Sequence, residues 1–344
     1  MSALHPIAHP VEDRDYSQTM VDGATFILDE PDGVPAVWGD GDRVLWAEGE
    51  ELILAGPQGL GKTTISGLLV AAMVAGDNRS VLGLPVRPAG RVLYLAMDRP
   101  RQASRALRRQ LGAFPRDLLA QRLIVQKGPP PYDLARNTDV LAHMAEDADA
   151  DVVIVDSLKD AAVGLSDDEV GAGWNRARQK LLTSGRQLMS NHHVTKLGDR
   201  VPTINDVYGS TWITSGAGSV VLLTGNPGDP IFRLTHLKQP VEELGPWTLR
   251  HDQKAGTVVI HDEVDLIVLA RGEDGVTART AASALFDADK PTASQVEKAR
   301  RKLNRLVADS VLYALNDGPR GEVTWRLTDA ENDLTNDLTL DLGA

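Results

Sequence analysis

From residue 50 to about residue 262, short apolar runs alternate with longer stretches of helical length. The short runs at 52–55, 91–97, 123–126, 151–156, 187–191, 219–224, 231–237 and 257–261 predict strands. Helices are predicted at 63–75, 101–111, 139–147 and 174–184, between the early strands. Strands alternating with helices, each strand apolar along its length, predict an α/β fold with a mainly parallel sheet flanked by helices on both faces. The last strands follow one another without helices and predict an antiparallel extension at one edge.

The pattern is weaker outside this region. Residues 1–45 carry little periodicity and many Asp, Pro and Gly, and read as a partly ordered acidic segment ahead of a core at 46–265. Composition changes around Arg271-Gly272-Glu273-Asp274-Gly275, which puts a linker at 266–276. Two helices at 277–286 and 292–309, then short strands at 311–315 and 322–327, resemble a winged helix, giving a small domain at 277–328 and an acidic tail at 329–344.

Charge sharpens this division. The net charge of −12 is concentrated at the ends: residues 1–50 hold eleven acids against two arginines, and residues 328–344 hold five acids and no Lys or Arg. The middle is therefore close to neutral, and the overall acidity does not exclude a local contact with nucleic acid. Lys298, Arg300, Arg301, Lys302 and Arg305 cluster on one predicted helix, and Lys298, Arg301 and Arg305 are the predicted phosphate contacts there. The chain has no cysteine, which excludes disulfides and thiolate metal sites. No apolar run approaches the ~20 residues of a membrane span, and the first residues lack a signal-peptide pattern, so a cytoplasmic protein without membrane contact is expected.

The strongest chemical signal follows the first strand of the core. Gly56-Pro57-Gln58-Gly59-Leu60-Gly61-Lys62-Thr63 fits the pattern G-x-x-x-x-G-K-[ST], with a strand before it and a helix after it. Glycines there let backbone N–H groups turn around phosphate oxygens, and the helix N-terminus adds about half a positive charge. Residues 56–63 and Thr64 are the predicted nucleotide contacts, with Lys62 on the β- and γ-phosphates and the Thr63 hydroxyl on Mg²⁺. The run Asp151-Val152-Val153-Ile154-Val155-Asp156 ends in a carboxylate suited to the same Mg²⁺.

Two further segments end predicted strands. Asp98 follows an apolar run and precedes Pro100, where it either activates the attacking water or caps the next helix. His192 and His193, followed by Lys196, are placed to sense the γ-phosphate. Adjacent strand residues point to opposite faces, which argues against a metal held by both histidines.

Taken together with Ala96-Met97-Asp98, Asn191-His192-His193-Val194-Thr195-Lys196 and the stretch Tyr208-Gly209-Ser210-Thr211-Trp212-Ile213-Thr214-Ser215-Gly216-Ala217, the chain resembles the RecA-like ATPases of the RepA/DnaB hexameric replicative helicase branch, of phage and plasmid type, over residues 24–262. The resemblance implies a RecA-like P-loop core using ATP and Mg²⁺, and a homo-hexameric ring with single-stranded DNA in its channel. It implies catalytic roles for Lys62, Asp98, Asp156, His192 and His193, with Lys238 reaching a neighbouring subunit's ATP. Asp98 stands where the family usually has Glu, and Pro240 where it commonly has Arg; Arg233 is one possible substitute. The channel loops would be 158–173 and 197–208, with Lys159, Lys196 and Arg200 as DNA contacts, although the first loop is acidic. The expected function is an ATP-dependent DNA helicase-type motor of a replication system, with a replication partner protein as a further expected contact. The alternative is a RecA-fold regulatory or recombinase-like ATPase that binds DNA, duplex included, without unwinding it.

Overall fold

Alternate residues of the strand Glu51–Ala55 enter two different cores: Leu52 and Leu54 join one, Ile53 and Ala55 the other. A strand buried on both faces belongs inside a sheet covered on both sides. The computed structural model describes residues 20–195, 202–226, 228–261, 266–271, 274–286, 288–308, 310–318 and 321–328.

A short helix α1 (Gly23–Leu28) precedes the hairpin β1 (Ala36–Asp40) and β2 (Arg43–Ala47), and β3 (Glu51–Ala55) leads through a glycine loop into α2 (Lys62–Ala75). The two-residue strands β4 (Ser80–Val81) and β5 (Leu84–Pro85) come before β6 (Val92–Ala96), α3 (Pro100–Leu111), α4 (Arg116–Arg122) and β7 (Leu123–Lys127). Next are α5 (Val140–Asp147), β8 (Val152–Asp156), α6 (Leu158–Ala161), α7 (Asp168–Thr183), β9 (Gln187–His192) and α8 (Thr211–Ser215). The core closes with β10 (Ser219–Thr224), β11 (Ile231–Lys238), β12 (Trp247–Asp252) and β13 (Thr257–Ile260).

Among the described residues these strands form a nine-stranded sheet in the order β13-β12-β11-β10-β3-β9-β8-β6-β7. The six strands from β10 to β7 are parallel. The other three are antiparallel additions at one edge. The fold is thus α/β with a mainly parallel sheet and the P-loop NTPase architecture. Because β3 lies between β9 and β10, the carboxyl ends of β3, β6, β8 and β9 open on one side, where ligands collect in such folds.

Two boundaries differ from the sequence reading. Residues 36–45, expected in a loose lead-in, belong to the core hairpin: Trp38 and Trp46 are fully buried, and their indole N–H groups donate to Val81 O and Glu50 O, both at 3.0 Å. Two tryptophans among Gly and Asp residues give no period of 2, so the hairpin leaves little trace in the pattern. The expected linker at 266–276 holds α9 (Leu266–Ala270) and the start of β14 (Val276–Thr277). Leu266, Ala270 and Val276 are buried in a third core shared with α10 (Ala278–Phe286), α11 (Ala293–Ala308), β15 (Leu312–Leu315) and β16 (Thr324–Leu327). These strands form a separate sheet in the order β14-β16-β15. Lys298 on α11 reaches Asp229 of the large domain at 2.7 Å. No helix among the described residues is long and apolar enough to cross a membrane.

Candidate active site

The loop between β3 and α2 turns tightly, with Gly59 and Gly61 at φ of 81° and 85°, a region that L side chains rarely enter. It delivers the N-terminus of α2 to the open edge of the sheet, and α2 begins at Lys62. Lys62 Nζ donates to Gly56 O at 2.7 Å and Pro57 O at 2.8 Å, so the ammonium lies across the mouth of the loop. Burial lowers its pKa to about 8, an effect that the nearby Asp156 carboxylate partly offsets.

Asp156 ends β8, and its Oδ2 accepts from the Thr63 hydroxyl at 3.2 Å and from the Tyr94 hydroxyl at 2.6 Å. Tyr94 is fully buried on the neighbouring strand β6; burial first, then Asp156, pushes its phenol well above the usual range, so it stays a donor. The Thr63 hydroxyl and the Asp156 carboxylate are hard oxygen donors at the lip of the phosphate loop, and this set fits Mg²⁺. They would hold that ion, which supplies charge neutralisation at the phosphates when bound.

The two histidines separate. His193 lies beyond the end of β9 and lines the same cavity as Lys62, Thr63 and Asp156. Its pKa is lowered by burial and then by Lys62 and Lys159. His192 is fully buried, does not line that cavity, and donates from Nε2 to Tyr208 O. Burial lowers its pKa to about 4, which keeps the ring neutral at physiological pH. Its place is structural: it joins the end of β9 to the segment before α8. Next to it, buried Asn191 accepts from Ser66 of α2 at 2.9 Å, fixing the phosphate-loop helix to β9.

Asp98 also lines the cavity, with its carboxylate exposed and 3.3 Å from Arg99 Nε. Its reading as a helix cap does not hold, because the N-cap of α3 is Arg99 and no side-chain cap bond is made. The cavity, of about 650 Å³, therefore gathers Lys62, Thr63, Asp156, Asp98 and His193 from four segments distant in sequence.

A model of the AAA domain family matches residues 24–199, just over half of the chain. The chain belongs to the AAA domain family of P-loop ATPases. No curated protein matches this AAA-domain protein. The matched region includes the phosphate loop, Asp98, Asp156 and both histidines, and stops short of the antiparallel extension.

That extension supplies site residues absent from the sequence reading. His251 on β12 bonds through Nε2 to the Thr64 hydroxyl at 3.0 Å and packs edge-on against Phe232. Its pKa is lowered by burial. The signal for β12 was faint, because only Leu249 and His251 of its six residues are buried.

Other expected residues lie elsewhere. Lys238 at the end of β11 does not line the cavity; Nζ donates to Thr214 O at 3.3 Å, Ser215 O at 2.8 Å and Ala217 O, which closes the C-terminal end of α8 in its own chain. Lys159 is exposed on α6. Lys196 and Arg200 lie outside the described residues. Lys298 is paired with Asp229, and Glu297 pairs with Arg300 at 3.0 Å and Arg301 at 3.5 Å, whereas Arg305 is exposed in the last turn of α11.

Proposed function

We propose that this ATPase is a DNA-dependent motor of the replicative-helicase type, hydrolysing ATP with Mg²⁺ and assembling as a ring of identical subunits. One observation carries the reading: the phosphate loop, the Mg²⁺ carboxylate and a cavity-facing histidine after β9 converge on one cavity at the open edge of the sheet. In this reading Lys62 holds the phosphates and Asp98 orients the attacking water. His193 registers the terminal phosphate and passes its loss to the segment after β9. The small domain, which we read as a winged helix, presents α11 with Lys302 and Arg305 exposed toward a phosphate backbone or a replication partner.

A second reading retains ATP hydrolysis and duplex DNA binding but omits unwinding. The hold on Lys238 by its own chain favours it, since that lysine is the expected contact to a neighbour's ATP. ATPase rates with and without single-stranded DNA, strand displacement on a forked duplex, and light scattering with Mg·ATP distinguish the two. The motor reading expects DNA-stimulated hydrolysis, displacement and a ring of several subunits. Hydrolysis with duplex binding but no displacement would establish the second reading, and no DNA effect at all would reject both.

A further inference from the structure

The nucleotide cavity has a second wall that the phosphate loop does not account for. Helix α3 buries Ala103, Leu107 and Leu111 against the large domain and carries Arg101, Arg105, Arg108 and Arg109 with no acidic residue. One stripe of this helix, Gln102, Arg105, Ala106 and Arg109, lines the cavity at i, i+3/i+4 and i+7 spacing, while Arg101 and Arg108 do not. The stripe is held in place. Gln110 Nε2 donates to Thr64 O of α2 and to Gly256 O of the β12–β13 turn, both at 2.9 Å. Gly67 leaves room for that amide, because a Cβ there would lie 2.0 Å from Gln110 Oε1.

Among the described residues neither Arg105 nor Arg109 has a carboxylate within ion-pair distance, and both are exposed. The cavity lining carries four cations, Lys62, Arg99, Arg105 and Arg109, against two carboxylates, Asp98 and Asp156. That excess of two positive charges complements a magnesium-bound triphosphate. Lys238, in contrast, is occupied at the end of α8.

We infer that Arg105 and Arg109 bind the triphosphate in cis, so that each chain supplies from α3 the cationic charge that its ATPase chemistry requires. This rests on the ATPase reading above. Guanidinium groups suit the role because they stay charged and meet phosphate oxygens in a fork. Cationic groups of this kind are worth about 10³–10⁵ in rate where they stabilise the transferring phosphoryl group.

The test uses the full chain and the variants Arg105→Ala, Arg109→Ala, the double variant and the corresponding Lys variants, each checked for unchanged thermal unfolding. Calorimetric binding of inorganic tripolyphosphate should weaken at least tenfold in the double Ala variant, while adenosine binding stays unchanged. The turnover number for ATP should fall about a hundredfold or more, with partial rescue by Lys. Mixing the double Ala variant with Lys62→Ala subunits should restore nothing, because a cis group cannot be lent. Unchanged tripolyphosphate affinity, or loss of adenosine binding instead, would overturn the inference, as would recovery of hydrolysis on mixing. If the wild type hydrolyses ATP no faster than Lys62→Ala, the ATPase reading itself fails, and tripolyphosphate binding still decides the placement of the arginines.

Discussion

At the scale of single residues, the Asp156 carboxylate is held by hydroxyl groups from two different elements. Its Oδ2 takes hydrogen bonds from Thr63 and from Tyr94, and the second donor is buried. Outer hydrogen bonds of this kind orient a metal-holding carboxylate, and their loss typically lowers metal affinity or activity 10–100-fold. Tyr94→Phe keeps the ring and its packing and removes only the donor. The Mg²⁺ concentration for half-maximal hydrolysis is expected to rise about tenfold, with little change in melting temperature. An unchanged Mg²⁺ titration would show that Tyr94 merely fills space. The loop residues 56–63 were legible in the sequence because their chemistry is local: eight consecutive positions define the motif. Tyr94 and His251 were not, because their partners Asp156 and Thr64 are brought to them by strand pairing and by the antiparallel extension.

At the scale of elements, one fully buried ion pair joins several pieces of the core. Arg178 on α7 meets Glu51 at the start of β3 at 2.6 Å, and Glu51 also accepts from Ser190 on β9. The same guanidinium donates to Ile213 O of α8 at 3.0 Å. Gly216 leaves space for it, since a Cβ there would collide with Arg178 Nη2. Removing one partner of a buried pair leaves an uncompensated charge and costs about 3–5 kcal/mol, whereas replacing both by apolar groups is often near neutral. Arg178→Met should therefore lower the melting temperature by roughly 6–20 °C, taking about 2–4 °C per kcal/mol for a domain of this size. The double variant Glu51→Leu/Arg178→Met should recover most of that loss. A double variant as unstable as the sum of the singles would show instead that Arg178 and Glu51 act independently and that the single losses come from their other contacts. The strands and helices themselves were readable where burial on both faces produced continuous apolar runs. The β1–β2 hairpin and β12 were missed because each relies on a few large or polar residues, Trp38, Trp46 and His251, whose burial no local period announces.

At the scale of the whole molecule, the fold buries neutral histidines, and this sets its response to acid. His192 donates from Nε2 to Tyr208 O, and its buried Nδ1 has no partner among the described residues. His236 on β11 bonds through Nε2 to the Ser219 hydroxyl at 2.9 Å, while its Nδ1 accepts from Leu244 N–H at 3.4 Å, a role that protonation abolishes. Burial lowers both to about 4 from an ordinary value of 6.5, and it lowers His193 and His251 in the same direction. Between those values the unfolded chain binds more protons than the folded one, so stability increases with pH across the window and is lost as pH falls from 6.5 toward 4. The depressed carboxylates Asp22, Asp229 and Asp252 stabilise the fold above their ordinary 3.8 and lose that contribution only as pH falls below it, so they add little slope in this window. The melting temperature should therefore fall steadily between pH 6.5 and 4.5. His236→Gln should melt lower at pH 7.5, yet lose less between pH 6.5 and 4.5, because one proton-accepting group has been removed. Parallel curves for the two proteins would mean that acid acts through other groups.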